Sequence, residues 1–296
     1  MQFNFLKYKY IYFVLAGLLV AGSLAVLVIF GLNMGIDFTG GSIMELEYEG
    51  SRPALQAVRD SLSVYGEAQV QTTGENGLII RMGELNEPTH QEILEILKDD
   101  YELEEMRFES IGPVIGKELE NKTKTLILLA LFSIVVYIAF AFRKVQRPIR
   151  SWQYGLASLI ALFHDVVIPM GIFSLLGYYY GVQFTIPVVT ALLTVLGYSI
   201  NNTVVVFDRI REALIRGEGT TFEETINISL NRAFTRCINT SLTTLMVLLA
   251  IYFFGGETLK YFSLALIIGI TAGTFSSLFL AAPILAVWIK WKNKIA

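Results

Sequence analysis

The chain has 296 residues, of which 54% are hydrophobic and 17% are charged. Soluble proteins carry about 25% charged residues, so this composition indicates a membrane protein. The formal net charge of −3 argues against a strongly basic nucleic-acid binder. One cysteine, Cys237, and two histidines, His90 and His164, are too few for an internal disulfide, a thiolate cluster or a histidine-built metal site. No metal or cofactor is therefore predicted, and a conventional hydrolase or metalloenzyme is disfavoured.

Six mostly apolar stretches are long enough to cross a hydrocarbon core, which takes about 20 helical residues. The predicted spans are residues 11–31, 125–142, 154–176, 184–207, 237–254 and 261–289. The first span is longer than the apolar core of a signal peptide, and no small-residue cleavage site follows it. It is therefore predicted to be an uncleaved membrane helix.

Lysine and arginine are concentrated in alternate short loops, which by the positive-inside rule lie in the cytoplasm. These residues are Lys7, Lys9, Arg143, Lys144, Arg147, Arg150, Arg209, Arg211, Arg216, Arg232, Lys290, Lys292 and Lys294. The intervening short loops, 177–183 and 255–260, contain only Lys260. Both termini are therefore predicted to be cytoplasmic, and the long segment 37–121 to be extracytoplasmic.

Segment 37–121 is predicted to be a separate domain, between the first span in 1–36 and the remaining spans in 122–296. Its pattern predicts the order strand–helix–strand–strand–helix–strand, which is that of a ferredoxin-like α+β sandwich. It has no obvious catalytic constellation, and His90 is predicted to be a surface polar residue. The domain is therefore interpreted as a binding or lever module.

Polar side chains within the spans are functional hypotheses by default, because they are rare in membranes. Asp165 in span three is either a carboxylate that ties helices together or part of an ion path. His164 precedes it, but adjacent helical positions point about 100° apart, so no pair is predicted. In span four, the spacing of Tyr198, Asn201 and Asn202 predicts one shared face, turned toward other helices or a wet cavity.

Spans five and six carry three further patterns. Arg236 opens span five before a dense polar run, and it either reaches the membrane surface or takes part in an ion path. Residues 221–235 are predicted to form an amphipathic helix on the cytoplasmic interface, beginning with a capping box at Thr221 and Glu224. Gly269 and Gly273 in span six have the small-xxx-small spacing that permits close helix approach.

Four segments resemble the SecF family of protein-export membrane proteins: GIDFTGGS (35–42), GYSINNTVVVFDRIRE (197–212), TSLTTL (240–245) and FGGETL (254–259). The family-motif positions are Gly35, Asp37, Phe38, Gly40, Gly41, Gly197, Tyr198, Asn201, Arg209, Arg211 and Glu212. The resemblance covers the whole chain. Because the family belongs to the resistance–nodulation–division superfamily, an exporter of small molecules or lipids is the alternative. An intramembrane enzyme using His164 and Asp165 is disfavoured, since the short loops offer no lid.

The resemblance implies a non-enzymatic subunit of an accessory complex in the cell inner membrane. In that family, an ion gradient drives the complex to promote preprotein translocation through, and release from, the Sec channel. The six spans would form half of a pseudo-symmetric twelve-helix bundle that SecD completes. The further partners implied are the SecYEG channel with SecA-driven preproteins, YajC and membrane lipids, with no nucleic acid.

The resemblance also implies an ion path at the positions of Asn202 and Arg236, and the polar residues Asp165 and Asp208 are further candidates for it. The family usually has an aspartate as a principal proton carrier where this chain has Asn202, and the arginine at the position of Arg236 is thought to interact with it. An amide neither takes up nor releases a proton near neutral pH. Three explanations stay open: coupling through Asp165, Asp208 or a SecD carboxylate; coupling to another ion; or altered coupling in this chain.

Overall fold

A computed structural model describes residues 3–99, 101–141 and 149–295, and the chain divides into two compact units. The membrane unit comprises Met1–Leu32, Leu126–Tyr180 and Pro187–Ala296. The sheet unit comprises Asn33–Thr125 and Gly181–Ile186. In chain order, the helices are α1 (Lys9–Phe30), α2 (Ile36–Thr39), α3 (Leu55–Leu62), α4 (Glu87–Asp99), α5 (Pro113–Ala141), α6 (Ser151–Tyr180), α7 (Ile186–Ile215), α8 (Phe222–Phe254), α9 (Gly256–Ser276) and α10 (Ala282–Ile295). The strands are β1 (Gly41–Tyr48), β2 (Gln69–Thr73), β3 (Gly77–Met82) and β4 (Leu103–Ile111).

The prediction of six membrane spans is confirmed. Six helical stretches in the described residues are long and apolar enough to cross a membrane, and each overlaps one predicted span. The sixth consists of α9 and α10 joined by a π-helical turn at Ser277–Ala281. More than half of the most apolar part of α6, α7 and the sixth span is buried, whereas few residues of α1 and α5 are fully buried. The third, fourth and sixth spans therefore form the interior of the membrane unit.

The amphipathic helix predicted at 221–235 is not a separate interfacial element. It is the first part of α8, which continues to Phe254 because no glycine or proline interrupts it. Its start agrees with the sequence, since the backbone N–H of Glu224 donates to Thr221 Oγ1 at 3.2 Å. Its apolar side, with Ile226 and Leu230, packs in the core of the membrane unit. Burying that side against protein replaces the predicted contact with the membrane surface.

The sheet unit has the predicted ferredoxin-like topology. Its sheet has the order β2–β3–β1–β4, with every neighbouring pair antiparallel. Alternate residues of β1 are buried, and they form one core with residues of β3, α3 and α4. The segment 181–186 also belongs to this unit, because the N–H of Phe184 donates to the carbonyl of Asn33 at 2.6 Å. Two stretches far apart in the sequence therefore build the unit.

The prediction that His90 is a surface residue is wrong. It is 3% exposed, its ring stacks on Phe108 with centroids 3.6 Å apart, and its Nε2 lies 2.7 Å from Glu105 Oε1. His90 precedes the buried residues Ile93 and Leu97 of α4 by three and seven positions, so it shares their face toward the sheet. Position on the helix, rather than polarity, decides its burial.

Gly40 and Gly41, two of the three glycines of the GIDFTGGS segment, have positive φ angles that other residues avoid. Gly40 has φ +75° and ψ 169°, a region essentially restricted to glycine. A Cβ at Gly40 would lie 2.7 Å from the Cα of Pro113, at the start of α5. We therefore expect Gly40→Ala to lower the free energy of unfolding by about 3 kcal/mol. Thermal unfolding of the full chain checks this, with Gly50→Ala as control, since Gly50 also has positive φ but faces open space. Equal losses for the two variants would contradict a role for the contact with Pro113.

Tyr48 predicts a change of stability at alkaline pH. It is 3% exposed, and burial, with the neighbouring Tyr101 as a smaller cause, raises its pKa from 10.0 to about 12. The unfolded chain therefore releases this proton first, and the stability that Tyr48 contributes below pH 10 falls as the pH rises toward about 12. We expect Tyr48→Phe to show a smaller loss of stability over that range, as measured by unfolding of the full chain. A parallel loss in both proteins would contradict the prediction.

Candidate intramembrane polar site

Asp165 is the centre of a fully buried hydrogen-bond cluster made by three helices. It lies on α6 and is 0% exposed. Its Oδ2 accepts hydrogen bonds from Ser199 of α7 and from Ser276 of α9, the latter at 2.8 Å. Its Oδ1 lies 2.8 Å from Nδ1 of His164. Three such partners are what a buried carboxylate requires, since an unpaired charge there is very costly.

The contact between His164 and Asp165 was not expected from their positions. The rule that adjacent helical side chains point about 100° apart applies to the Cα–Cβ bonds. The Nδ1 atom lies two bonds beyond Cβ, so the ring reaches back to the neighbouring carboxylate. The ring also packs over Phe275 of α9, with centroids 5.9 Å apart. The sequence alone predicted no pair, and the structure brings the two side chains into contact.

Two glycines allow α7 and α9 to approach each other at this cluster, as their spacing predicts. A Cβ at Gly273 would lie 3.0 Å from Cβ of Ser199 and 3.4 Å from Oδ2 of Asp165. One at Gly269 would overlap the side chain of Val195. The glycines therefore set the distance at which α9 can present Ser276 to Asp165.

Asn202 lies in a second buried cluster, between α7, α8 and α9. It is 2% exposed, and its Nδ2 donates to Ser241 Oγ at 3.3 Å. Ser241 Oγ in turn accepts a hydrogen bond from Thr274 Oγ1 at 2.6 Å. These three groups are neutral near pH 7, so the cluster joins helices without a titrating side chain.

The predicted shared face of Tyr198, Asn201 and Asn202 is only partly correct. The hydroxyl of Tyr198 donates to the carbonyl of Thr240 on α8 at 2.9 Å, so Tyr198 and Asn202 both meet α8. Asn201 is exposed. At 100° per residue, Asn201 and Asn202 fall on opposite sides of the Tyr198 direction, and packing buries only one of those sides.

Exposed polar and small side chains run along α7 and α8, in a part of the chain that is otherwise apolar. They are Thr190, Thr194, Gly197, Asn201 and Asp208 on α7, and Arg236, Asn239, Thr240 and Thr243 on α8. We call this set the polar stripe. The hydroxyls of Thr194, Thr240 and Thr243 donate to carbonyls of their own helices. The amide side chains of the stripe need further partners, which a neighbouring helix offers and lipid does not.

The remaining two residues of the predicted path, Asp208 and Arg236, line one cavity of about 280 Å³ together with Arg209 and Arg211. Asp208 has its Oδ1 3.8 Å from Arg211 Nη1, which is a weak ion pair at an exposed site. Neither residue is part of the Asp165 cluster or the Asn202 cluster. The four predicted path residues therefore occupy three separate places in the membrane unit.

Sequence reasoning missed Ser199, Ser276 and Thr274. Helical spacing offered a signal for two of them, since Ser199 precedes Asn202 by three positions and Ser276 follows Gly273 by three. The GIDFTGGS segment has a different role, within the sheet unit. There Asp37 Oδ2 accepts a hydrogen bond from the N–H of Ile186 at 2.9 Å, and the N–H of Gly35 donates to the carbonyl of Phe184.

Two family models match the chain. The model described as "Protein export membrane protein SecD/SecF, C-terminal" matches residues 91–291, and the "SecD/SecF GG Motif" matches residues 25–51. The second match includes Gly40 and Gly41, the glycines that approach α5 and β3.

Relatives of known name cover nearly the whole chain. The protein translocase subunit SecF of Thermobaculum terrenum is 42% identical over 98% of this chain and 94% of its own length. The subunit of the same name from Anaerolinea thermophila is 36% identical over 98% of this chain and 96% of its own length. The crystal structure of SecDF from Thermus thermophilus superposes with a TM-score of 0.86 and 34% identity, over 99% of this chain and 39% of that longer chain. The chain is thus a multi-pass membrane protein that belongs to the SecD/SecF family of protein-export membrane proteins.

Proposed function

We propose that this chain is the SecF-type subunit of a membrane complex that uses an ion gradient to promote preprotein translocation through, and release from, the Sec channel. The observation that carries the proposal is similarity over nearly the full length to proteins named protein translocase subunit SecF. The chain acts by moving ions and changing conformation, without catalysing a covalent reaction. The exporter alternative has no support among these relatives, which are named as translocase subunits.

The short loops rich in lysine and arginine support an orientation with both termini in the cytoplasm and the sheet unit on the extracytoplasmic side of the membrane. In that orientation the sheet unit is available to a preprotein that leaves the channel. Export of a reporter preprotein tests the function: cells that lack the chain should export slowly, and expression of the chain should restore the rate. Normal export in the depleted cells would refute the proposal.

The polar stripe supports docking of a second six-span protein of the SecD type. Its small and polar side chains suit close helix packing and interhelical hydrogen bonds, which drive association in lipid. The name SecDF of the longer relative is consistent with such a pairing. SecYEG with SecA-driven preproteins, and YajC, are proposed as further partners on family resemblance alone.

A matched pair of glycine substitutions tests the docking surface. Gly197 in the polar stripe and Gly22 on α1 are both exposed, and both face open space. We expect Gly197→Leu to reduce the amount of six-span partner that co-purifies in mild detergent to about a tenth, because the new side chain separates the helices. Gly22→Leu should leave co-purification unchanged. Equal retention by the two variants, or a monomer with full export activity, would rule out this surface.

Within this function, Asp165 is proposed as the group that carries the coupling ion in this subunit. It is a carboxyl group buried inside the membrane unit, whereas Asn202 has no proton to exchange. The hydroxyls of Ser199 and Ser276 can reorient when the carboxyl group gains or loses a proton, since each hydroxyl both donates and accepts. Asp208 and Arg236 would serve the path at the charged end of α7.

A further inference from the structure

The two oxygens of the Asp165 side chain have different partners. Oδ1 lies 2.8 Å from Nδ1 of His164, whereas Oδ2 accepts hydrogen bonds from Ser199 and, at 2.8 Å, from Ser276. Among the described residues, no other ionisable side chain hydrogen-bonds to this cluster. A proton that enters the cluster must therefore reside on Oδ1, on Oδ2 or on the imidazole, and the contacts of each group decide among them.

The imidazole of His164 is poorly placed to hold an additional proton. Its side chain is 2% exposed, and among the described residues its Nε2 has no hydrogen-bond partner. On a protonated ring, Nε2 would be a charged donor buried without an acceptor, which is very costly. The neutral ring with its proton on Nδ1 donates to Oδ1 and leaves only an unfilled acceptor at Nε2. The imidazole therefore occupies Oδ1 and leaves Oδ2 to take up the proton.

Ser276 differs from Ser199 in having a second acceptor for its hydroxyl hydrogen. Its Oγ lies 3.2 Å from the carbonyl oxygen of Gly273 on the same helix, as well as 2.8 Å from Oδ2 of Asp165. That carbonyl accepts the N–H of Ser277 and has a second lone pair to offer. Within the described part of the chain, the hydroxyl of Ser199 has Oδ2 as its one acceptor. One hydroxyl hydrogen cannot serve two acceptors, so Ser276 has two alternative orientations.

We propose that Asp165 takes up its proton on Oδ2, while the Nδ1–H of His164 holds Oδ1 as the carbonyl oxygen. The new O–H donates to Oγ of Ser276, whose own hydroxyl turns to the carbonyl of Gly273. One proton enters and one hydrogen bond reverses, so every polar hydrogen of the protonated cluster has an acceptor. His164 is thereby a positioning residue, and Ser276 is a hydrogen-bond switch between α9 and α6. The inference rests on the proposed role of Asp165 and states how its proton is held.

Infrared difference spectroscopy of the full chain with its six-span partner tests the proposal, because the C=O stretching band of a protonated carboxyl group reports its hydrogen bonds. Spectra in acidic minus alkaline buffer should contain a band that Asp165→Asn removes. We expect His164→Leu to move this band to higher frequency, since Oδ1 loses its donor. His164→Asn should leave the band near its original frequency, because the amide nitrogen lies two bonds beyond Cβ, as Nδ1 does.

Two serine variants form a matched pair that leaves Asp165 and His164 intact. Ser276→Ala should shift the band, because the carboxyl O–H loses its acceptor, whereas Ser199→Ala should shift it less. Equal shifts in the two variants would contradict the assignment of the O–H to Ser276. An unchanged band in His164→Leu would contradict the positioning role. The absence of any band that Asp165→Asn removes would overturn the whole proposal, since Asp165 would then take up no proton.

The spectra do not depend on export, which keeps this inference separate from the proposed function. Co-purification of the six-span partner shows that each variant is assembled. If the bands shift as expected while Asp165→Asn leaves export unchanged, the proton site is correct and the proposed role of Asp165 in coupling is wrong.

Discussion

Replacing Asp165 by asparagine is expected to reduce ion-driven export to about a tenth or less of the unsubstituted rate, because an ionisable group inside a membrane protein is retained for function. The substitution preserves shape. The amide oxygen can still accept from Ser199 and Ser276, and the amide nitrogen can donate to Nδ1 of His164. Folding and partner binding should therefore persist while proton exchange is lost. The measurement is the rate of reporter-preprotein export as a function of the imposed ion gradient.

Two companion variants distinguish the groups that could carry the coupling ion. Asp208→Asn removes an exposed carboxylate and should have little effect if Asp165 carries the ion. Asn202→Asp adds a carboxylate where the family usually has one. If Asn202→Asp raises export strongly while Asp165→Asn leaves it unchanged, coupling belongs to span four and the assignment to Asp165 is wrong. If none of the three variants changes export, the ion path lies in the partner subunit.

Replacing Gly269 by leucine is expected to lower the free energy of unfolding by about 3 kcal/mol or more. Even a single Cβ at this position overlaps the side chain of Val195, so a leucine must push α9 away from α7. That displacement also removes Ser276 from Asp165 and leaves a buried carboxylate with one partner fewer. Thermal unfolding of the purified complex in detergent gives the measurement, with the exposed Gly22→Leu as the matched control.

A double substitution distinguishes a local clash from a general intolerance of leucine or alanine at this position. Gly269→Ala should destabilise the protein less than Gly269→Leu does. Adding Val195→Ala to Gly269→Ala should recover most of the stability that Gly269→Ala loses, because it makes room for the new Cβ. If the double variant loses as much stability as Gly269→Ala and Val195→Ala lose separately, the contact with Val195 does not set the distance between α7 and α9.

Local sequence properties were sufficient to predict the membrane spans, the ferredoxin-like sheet unit and the close helix approach at Gly269. Each depends on a property that a short stretch carries by itself: an apolar length that matches the bilayer, an alternation of buried residues, or a missing side chain. The same locality explains one error. The apolar stripe at 221–235 correctly predicted a helix, but a stripe does not reveal whether protein or membrane covers it.

Only the tertiary structure decided which polar groups meet. Asp165 and Ser276 are 111 residues apart, and the sequence carries no measure of the rotation of α6 and α9 about their axes. The burial of His90 and Asn202, and the exposure of Asn201, likewise follow from the way each helix turns toward its neighbours. Sequence spacing gives the angle between two side chains on one helix, whereas packing between helices decides which side of that helix is buried.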